Sequence, residues 1–234
     1  MKLKNFPKTY KLLQEYLHLT FGNADIACPY WINKLNQHIR GPFSGKGTPK
    51  QIKKSALTRA LKRNINLAKL SRRQILIFLR QNRIGVDCSG FVYNLANYLD
   101  KEKGGEGLAR KLFNKKIFPR WNPAWRTSVQ ILTSNAKTRE IKLSDIRVGD
   151  LIRLTSGRHV LFVIDVTGKY ITYAHSSKFL TKKSGVHLGK IKVTDRLKGL
   201  EDQLWLEKTP KGESFGKKYF DPSQGDSLRR FNWW

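Results

Sequence analysis

Cysteine is nearly absent from this chain, whose 234 residues include only Cys28 and Cys88. Two cysteines cannot build the multi-disulfide framework of a small secreted domain, although a single bridge between them is possible. The histidines, cysteines and acidic residues also lack the short spacing that is typical of metal ligands. The sequence therefore predicts no metal and no cofactor.

Long apolar runs are missing as well. No stretch approaches the roughly 20 apolar residues that a membrane-spanning helix requires. The N-terminus is basic, but polar residues interrupt segment 12–21, so the apolar core of a signal peptide is lacking. The sequence thus predicts no export signal, and it leaves the compartment open between the cytoplasm and non-classical export to a cell wall.

Acidic residues are few, since 17 Asp and Glu stand against 46 Lys and Arg, for a net charge of +29. Residues 26–86, here called the basic block, contain 14 basic residues and no acidic one. Such charge attracts polyanions, including nucleic acid, anionic lipid and anionic cell-wall polymer. The basic block either binds such a partner or is a solvated lysine-rich face, and charge alone does not decide between them.

Helix signals fill the first hundred residues. Residues 1–25 resemble a basic amphipathic helix, and 29–47 are punctuated by Gly and Pro like a loop. Thr48-Pro49 and Ser71 with Gln74 are typical helix starts. Another helix is expected from Cys88, because apolar residues recur behind it at helical spacing.

Strand signals dominate after residue 140. The predicted strands are 151–154, 159–166, 170–174, 186–193 and 203–207. Helices followed by hairpin-linked strands indicate an α+β fold with an antiparallel sheet of about five strands. Residues 209–234 are predicted to form a tail whose terminal aromatics dock on the domain or on a partner.

The segment Asp-Cys-Ser-Gly-Phe-Val at 87–92 places a thiol at a helix N-terminus. Backbone N–H groups and the helix dipole favour an anion there, which predicts a lowered pKa for Cys88 and a nucleophilic thiolate. A lone cysteine is more often a small buried hydrophobe. The polar or small neighbours Asp87, Ser89 and Gly90 are unusual for a core position and favour the catalytic interpretation.

A cysteine nucleophile needs a base, and the base needs a group that orients it. His159 begins the second predicted strand and His175 follows the third, so a turn at Thr167-Gly168 would bring both to one end of the sheet. Each could instead be an ordinary strand-end histidine. No role is assigned to the other histidines and the other cysteine, which are His18, His38, His187 and Cys28.

Four segments resemble, in order, the motifs of the NlpC/P60 family of cysteine peptidases. They are 87–92, Val-Gly-Asp-Leu-Ile at 148–152, His159-Val160, and Tyr-Ala-His-Ser-Ser at 173–177 with Gly185-Val186 beyond. The resemblance covers about half of the chain. It implies a papain-like catalytic domain at 84–208, in which the cysteine helix packs on the sheet that bears the histidines. A basic, mostly helical extension at 1–83 precedes this domain, and the tail 209–234 follows it.

The resemblance also implies an activity, hydrolysis of peptide bonds in peptidoglycan stem peptides, often between D-glutamate and a diamino acid. Cys88 would form an acyl-enzyme, His159 would act as general base and then acid, and His175 would orient His159. Asp87 and Ser89 match positions that line the substrate pocket in the family. The implied partners are peptidoglycan or muropeptides, with anionic wall polymer held by the basic block.

One motif departs from the family pattern. A Pro-Tyr-x-Trp-Gly-Gly-like segment usually stands shortly before the nucleophile, whereas Pro29-Tyr30-Trp31 lies nearly 60 residues upstream of Cys88. We expect Tyr30 to reach the substrate pocket across an insertion that contains two basic helices. Such an insertion can reshape the cleft and change which bond is cleaved.

Two other functions stay open. A papain-like thiol could catalyse acyl transfer or deamidation of a protein target instead of hydrolysis. A basic chain with interleaved aromatic residues could also bind nucleic acid, with a steep dependence on salt. Nucleic-acid binding leaves the ordered motifs unexplained, and the sequence contains no helix-turn-helix spacing, RNA-binding aromatic motif or zinc pattern.

Overall fold

The structure, a computed structural model, describes residues 2–113 and 123–234, so residues 114–122 of the predicted catalytic domain lie outside it. The helices are α1 (Pro7–Leu17), α2 (Pro49–Leu61), α3 (Arg72–Gln81), α4 (Cys88–Glu102), α5 (Leu108–Leu112), α6 (Val129–Leu132) and α7 (Phe215–Tyr219). The strands are β1 (Leu19–Phe21), β2 (Ala24–Ile26), β3 (Thr138–Glu140), β4 (Leu151–Leu154), β5 (His159–Val166), β6 (Tyr170–Ser177), β7 (Gly185–Lys192), β8 (Leu204–Trp205) and β9 (Ser227–Phe231). Among the described residues, no helix has the length and apolar character needed to cross a bilayer.

Capping boxes start the two helices of the basic block where the sequence predicts them. At α2 the Thr48 hydroxyl accepts from the backbone of Gln51, whose side chain accepts from the backbone of Thr48. Ser71 and Gln74 make the same reciprocal pair at α3. Each cap stabilises its helix by about 1 kcal/mol because it satisfies N–H groups that have no partner inside the helix.

The predicted helix over 1–25 is too long. It ends at Leu17, and β1 and β2 follow as a hairpin that turns at Gly22. Gly22 has φ +58°, and a Cβ there would lie 2.6 Å from the carbonyl oxygen of Ala68. A left-handed turn in such close contact favours glycine and ends the helical segment early.

A curled antiparallel sheet forms the second half of the fold, with the strand order β3-β9-β4-β5-β6-β7-β8. The mixed helix-and-sheet class is therefore as predicted, but the sheet has seven strands and not about five. The additional strands are β3 and β9, and β9 pairs with both β3 and β4. Residues 227–231, predicted to be part of a tail, are thus an inner strand, and Phe231 is fully buried.

Both faces of the sheet are covered, which explains why its central strands are almost continuously apolar. In β5, Val160 and Phe162 pack with the core formed by α1 to α4. Leu161 and Val163 alternate to the other face, where β8 supplies Trp205 and the segment around α7 supplies Phe215 and Phe220. By the same alternation His159, His175 and His187 fall on this second face. The cysteine helix lies on the first face, and its thiol lies close to the backbone N–H of Val160, next to His159 in β5.

Candidate active site

Cys88 is the first residue of α4, as the sequence predicts. Asp87 caps the helix, with its Oδ1 accepting from the backbone N–H of Gly90 at 2.7 Å. The backbone N–H groups of Val160 and Ser89 lie close enough to Sγ to favour the thiolate. Val160 follows His159 directly in β5, so the thiol lies beside the first residues of that strand.

The pKa of the Cys88 thiol is raised, not lowered as the helix N-terminus predicts. Burial raises the pKa to about 12, the negative charge of Asp87 adds to the shift, and Lys46 opposes it. Cys88 is only 5% exposed, so desolvation of the charged form outweighs the favourable N–H groups. The thiol therefore holds its proton at neutral pH and depends on a base to lose it.

His159 and His175 meet at the sheet end where the sequence places them. His159 Nε2 lies 2.8 Å from His175 Nδ1, and the two rings are edge to face. Burial lowers the pKa of both, that of His175 to about 4, so both imidazoles are neutral at pH 7. Within the described residues, no hydrogen bond joins the Cys88 thiol to His159. His175 contacts Nε2 of His159, so Nδ1 is the ring nitrogen available to the thiol.

Glu207 extends this pair into a longer hydrogen-bonded line. Its Oε2 lies 3.2 Å from His175 Nε2 and accepts from the Tyr173 hydroxyl at 2.7 Å, while its Oε1 lies 2.8 Å from His187 Nε2. Burial alone would raise the pKa of Glu207, but the hydrogen bonds from His175 and His187 outweigh it and hold the pKa below its usual range. Glu207 is thus a buried carboxylate that only accepts.

This carboxylate determines which nitrogens carry hydrogen. His175 must donate from Nε2 to Glu207, so its Nδ1 is an acceptor when the ring is neutral. His159 must then donate from Nε2 to His175, which leaves its Nδ1 with a free lone pair. That lone pair is the group a base needs to take a proton from the thiol of Cys88.

His187, to which the sequence analysis assigns no role, belongs to the same cluster. It is paired directly across from His175 in the β6–β7 register. Its Nδ1 lies 2.9 Å from the carbonyl of Gly185 and its Nε2 faces Glu207, and both partners only accept. The Thr181 hydroxyl also lies 3.1 Å from this Nε2. We call His159, His175, His187 and Glu207 the imidazole relay.

Neither Glu207 nor the position of His187 follows from sequence spacing. Glu207 comes after the two-residue strand β8, more than 30 residues beyond His175. The length of the loop between β6 and β7 does not reveal which residues pair across the two strands, so the pairing of His187 with His175 cannot be predicted. Apart from the cross-strand rule, no signal in the sequence links these side chains.

A metal ion is chemically possible in the relay. His175, His187 and Glu207 each offer one ligand atom, and these atoms lie within 4.8 Å of one another. These residues are far apart in sequence, and β6, β7 and the segment after β8 bring them together. The same atoms are already satisfied by hydrogen bonds with one another and with Tyr173, so a metal is not needed to explain their burial.

A second polar cluster lies on the helix side of the thiol. Lys46 Nζ lies 2.6 Å from Asp87 Oδ2 and also donates to the Ser89 hydroxyl, and all three side chains are buried. We call these residues the Lys46 cluster. Asp87 and Ser89, which the family resemblance places in the substrate pocket, both contact this lysine of the basic block.

Tyr30 lies close to the site although the chain separates it by nearly 60 residues. Its side chain is partly buried, and burial raises its pKa, with the charges of Cys88 and Asp87 adding to the shift. Val86 donates its backbone N–H to the carbonyl of Pro29 at 3.0 Å, which ties the Tyr30 segment to the start of α4. The hydroxyl therefore keeps its proton at neutral pH and can donate a hydrogen bond near Cys88.

Cys28 is separate from this chemistry. Both cysteines are free, so no bridge consumes the candidate nucleophile. Cys28 is fully buried, and burial raises its pKa well above the usual range. These properties are those of a small core residue.

Comparison of the chain with protein-family models, with curated proteins and with solved structures found no match.

Proposed function

We propose that this chain is a cysteine hydrolase of the NlpC/P60 type, with a papain-like fold, that cleaves peptide bonds in peptidoglycan stem peptides. The observation that supports this proposal most is the hydrogen-bonded line from Glu207 through His175 to His159. The next residue after His159 is Val160, whose backbone N–H lies close to Cys88 Sγ. The four motifs that resemble the family, in the same order, point to Cys88, His159 and His175.

The first half of the reaction forms an acyl-enzyme. Cys88 Sγ attacks the carbonyl carbon while His159 Nδ1 takes the thiol proton, and the carbonyl π electrons move to oxygen. The backbone N–H of Cys88, in the first turn of α4, donates to this oxyanion. His159 then gives its proton to the leaving nitrogen as the C–N bond breaks.

The second half releases the acyl group. Water attacks the thioester carbonyl while His159 Nδ1 removes a proton, and the C–S bond breaks with the proton returning to Cys88. His175 and Glu207 hold His159 in one tautomer throughout and stabilise its positive charge when it is protonated. Tyr30 contributes a hydroxyl donor to the pocket.

Acyl transfer or deamidation would use the same thiol and base. The products differ, because hydrolysis adds water to the cleaved bond, transfer adds an amine, and deamidation raises the mass of an intact chain by about 1 Da. Mass spectrometry of the products separates the three reactions. The amine acceptor or target protein would be added in separate incubations.

The deciding experiment is incubation of the purified chain with intact sacculi and with short muropeptides, followed by mass analysis. Cys88→Ala should abolish hydrolysis without changing the circular dichroism spectrum. The matched control is Cys28→Ala, which removes the other thiol and should retain activity. Hydrolysis retained by Cys88→Ala, or absent from the wild type on both substrates, contradicts the proposal.

A further inference from the structure

The side chain of Lys46 is buried beside the Cys88 thiol. Lys46 is 7% exposed, yet its Nζ contacts both carboxylate oxygens of Asp87, at 2.6 and 2.8 Å, and the hydroxyl of Ser89. Asp87 and Ser89 flank Cys88 in sequence. Lys46 thereby balances the charge of the Asp87 carboxylate inside the protein, so Asp87 needs no cation from a ligand.

The basic block is built to hold Lys46 in this place. Asp87 donates its backbone N–H to the carbonyl of Gly45 at 2.8 Å, and Lys46 forms a β-bridge with Val86. Asn94, one turn further along α4, donates from Nδ2 to the carbonyl of Lys46 at 3.1 Å. Backbone contacts on both sides therefore fix the lysine independently of its ion pair.

Gly90 shows how closely the lysine stem fits against α4. A Cβ on Gly90 would lie 2.6 Å from Lys46 Cδ and 2.8 Å from its Cα. Only glycine leaves room for the aliphatic part of Lys46 to cross the first turn of the helix. The stem thus crosses the first turn of α4, and the ammonium group reaches Asp87 and Ser89.

We propose that Lys46 is a built-in ammonium group that occupies the acceptor site of Asp87 and Ser89, so that a substrate of Cys88 places no cation there. The consequence for substrate choice rests on the proposed function. A free amino group near the scissile bond then gains nothing from Asp87, and amine-blocked and free-amine substrates are bound alike. Lys46 acts through Asp87 and is a positioning residue.

The charge balance around the thiol gives Lys46 a second effect on the same site. The groups that face Cys88 are Asp87 on its own helix, Lys46, Tyr30 and the backbone N–H of Val160 in β5. Asp87 disfavours the thiolate and Lys46 opposes that effect. Removal of the ammonium group should therefore slow alkylation of Cys88 by iodoacetamide, and a replacement cation should restore the rate.

Complementation of Lys46→Ala tests the proposal directly. The substitution removes the atoms from Cγ to Nζ, which have the size and charge of propylammonium. We expect Lys46→Ala to lower Tm by about 10 °C, because Asp87 is left buried without its partner. Propylammonium chloride should then raise Tm by about 3 °C more than sodium chloride at equal ionic strength or 1-propanol at equal concentration.

Two variants control the response. Lys46→Ala with Asp87→Asn removes the charged acceptor and should not respond selectively to propylammonium. The exposed Lys50→Ala should keep the wild-type Tm. An equal response of the wild type, or a response of Lys46→Ala to propanol as large as that to propylammonium, overturns the proposal. If Lys46→Ala is recovered only unfolded, yields of refolding from urea with the same additives replace Tm, and no preference for propylammonium overturns it.

The complementation does not depend on hydrolysis, so the two proposals can fail separately. A protein that binds propylammonium selectively but cleaves no muropeptide retains the Lys46 site and loses the proposed function. If hydrolysis is found, the wild type should cleave free-amine and N-acetylated peptides within about twofold of each other, and Lys46→Ala should favour the free amine by threefold or more, about 0.7 kcal/mol. A wild-type preference of that size contradicts the inference.

Discussion

Two buried polar clusters flank one thiol, and they differ in what their groups can do. The imidazole relay, on the sheet side, combines one carboxylate with three imidazoles, and the Lys46 cluster, on the helix side, combines one carboxylate with an ammonium group and a hydroxyl. Imidazole is the side chain suited to accept and return a proton, whereas the lysine on the helix side is paired with a carboxylate. In the proposed reaction, proton transfer therefore belongs to the sheet side and the ion pair to the helix side.

The largest effect should come from the base of the relay. In the proposed reaction His159→Gln removes the nitrogen that would accept the thiol proton, and we expect kcat/KM to fall by about a thousandfold. Ser89→Ala, which removes a hydroxyl of the Lys46 cluster, should cost about tenfold or less. The measurement is muropeptide hydrolysis by variants whose far-ultraviolet spectra match the wild type. Equal losses in the two variants would break the division of roles between the clusters.

Glu207 should have the next largest effect, because it acts on His159 only through His175. Glu207→Leu removes the acceptor that selects the tautomer and should lower kcat/KM about a hundredfold, while Glu207→Gln keeps an acceptor and should cost about tenfold. Loss of the negative charge also destabilises the protonated relay. The acid limb of the kcat/KM profile should therefore move to lower pH in both variants.

A residue with only a structural role would produce a different pattern at Glu207. Its substitution would lower Tm and the amount of active enzyme, and the pH profile of the remaining activity would not move. Tyr173→Phe is the matched control, since it removes a hydrogen bond to the same carboxylate without changing charge. We expect its pH profile to stay like that of the wild type.

Sequence patterns predict the parts of the site that lie within one segment. The thiol and its flanking residues are contiguous, and His159 and His175 are linked by one hairpin whose turn is visible in the sequence. The strand β9 is missed because its apolar residues follow a Gly- and Lys-rich segment. Pairing with β4 across more than 70 residues is a tertiary property that no local pattern contains.

Glu207 in the imidazole relay and Lys46 in the Lys46 cluster are missed for the same reason. In sequence, Glu207 and Lys46 are ordinary charged residues. Their place in the site becomes visible only in the fold, where Glu207 is buried against His175 and Lys46 against Asp87. The helix N-terminus correctly predicts where the thiol stands. It predicts the wrong direction for the pKa, because the dipole is visible in sequence and the desolvation that outweighs it is not.

Acid should distinguish the clusters through stability. The pKa of His175 falls from about 6.5 in the unfolded chain to about 4 in the folded one, because the ring is buried. Between these values the unfolded chain binds more protons, so the free energy of unfolding falls as the pH is lowered. Each histidine that behaves this way contributes up to about 1.4 kcal/mol per pH unit.

Urea unfolding at pH 7, 6 and 5 measures this slope. His175→Gln keeps a donor for Glu207 but no longer titrates, so it should lower the slope by about one histidine's share. The exposed His38→Gln, outside the sheet, is the control and should leave the slope unchanged. A slope that is the same in the wild type and in His175→Gln would show that burial does not lower the pKa of His175.

The smallest effect should come from the exposed members of the block that supplies Lys46. Lys54, Arg59 and Lys62 lie on the exposed surface of α2 and the turn after it. Their replacement by Gln should weaken binding to an anionic wall polymer severalfold at low salt, and the slope of log K against log salt should fall by about 2 to 3. Hydrolysis of short, soluble muropeptides should not change.

The matched control has the same loss of charge elsewhere. Lys169, Lys198 and Lys217 are exposed residues outside the basic block, and their replacement by Gln gives the same net charge. If both triple variants lose polymer binding equally, total charge and not the basic block attracts the polymer. If only the α2 variant loses polymer binding, two groups of basic residues in the block have different roles. Lys46 points inward and neutralises Asp87, and its exposed neighbours bind the polymer that carries the substrate.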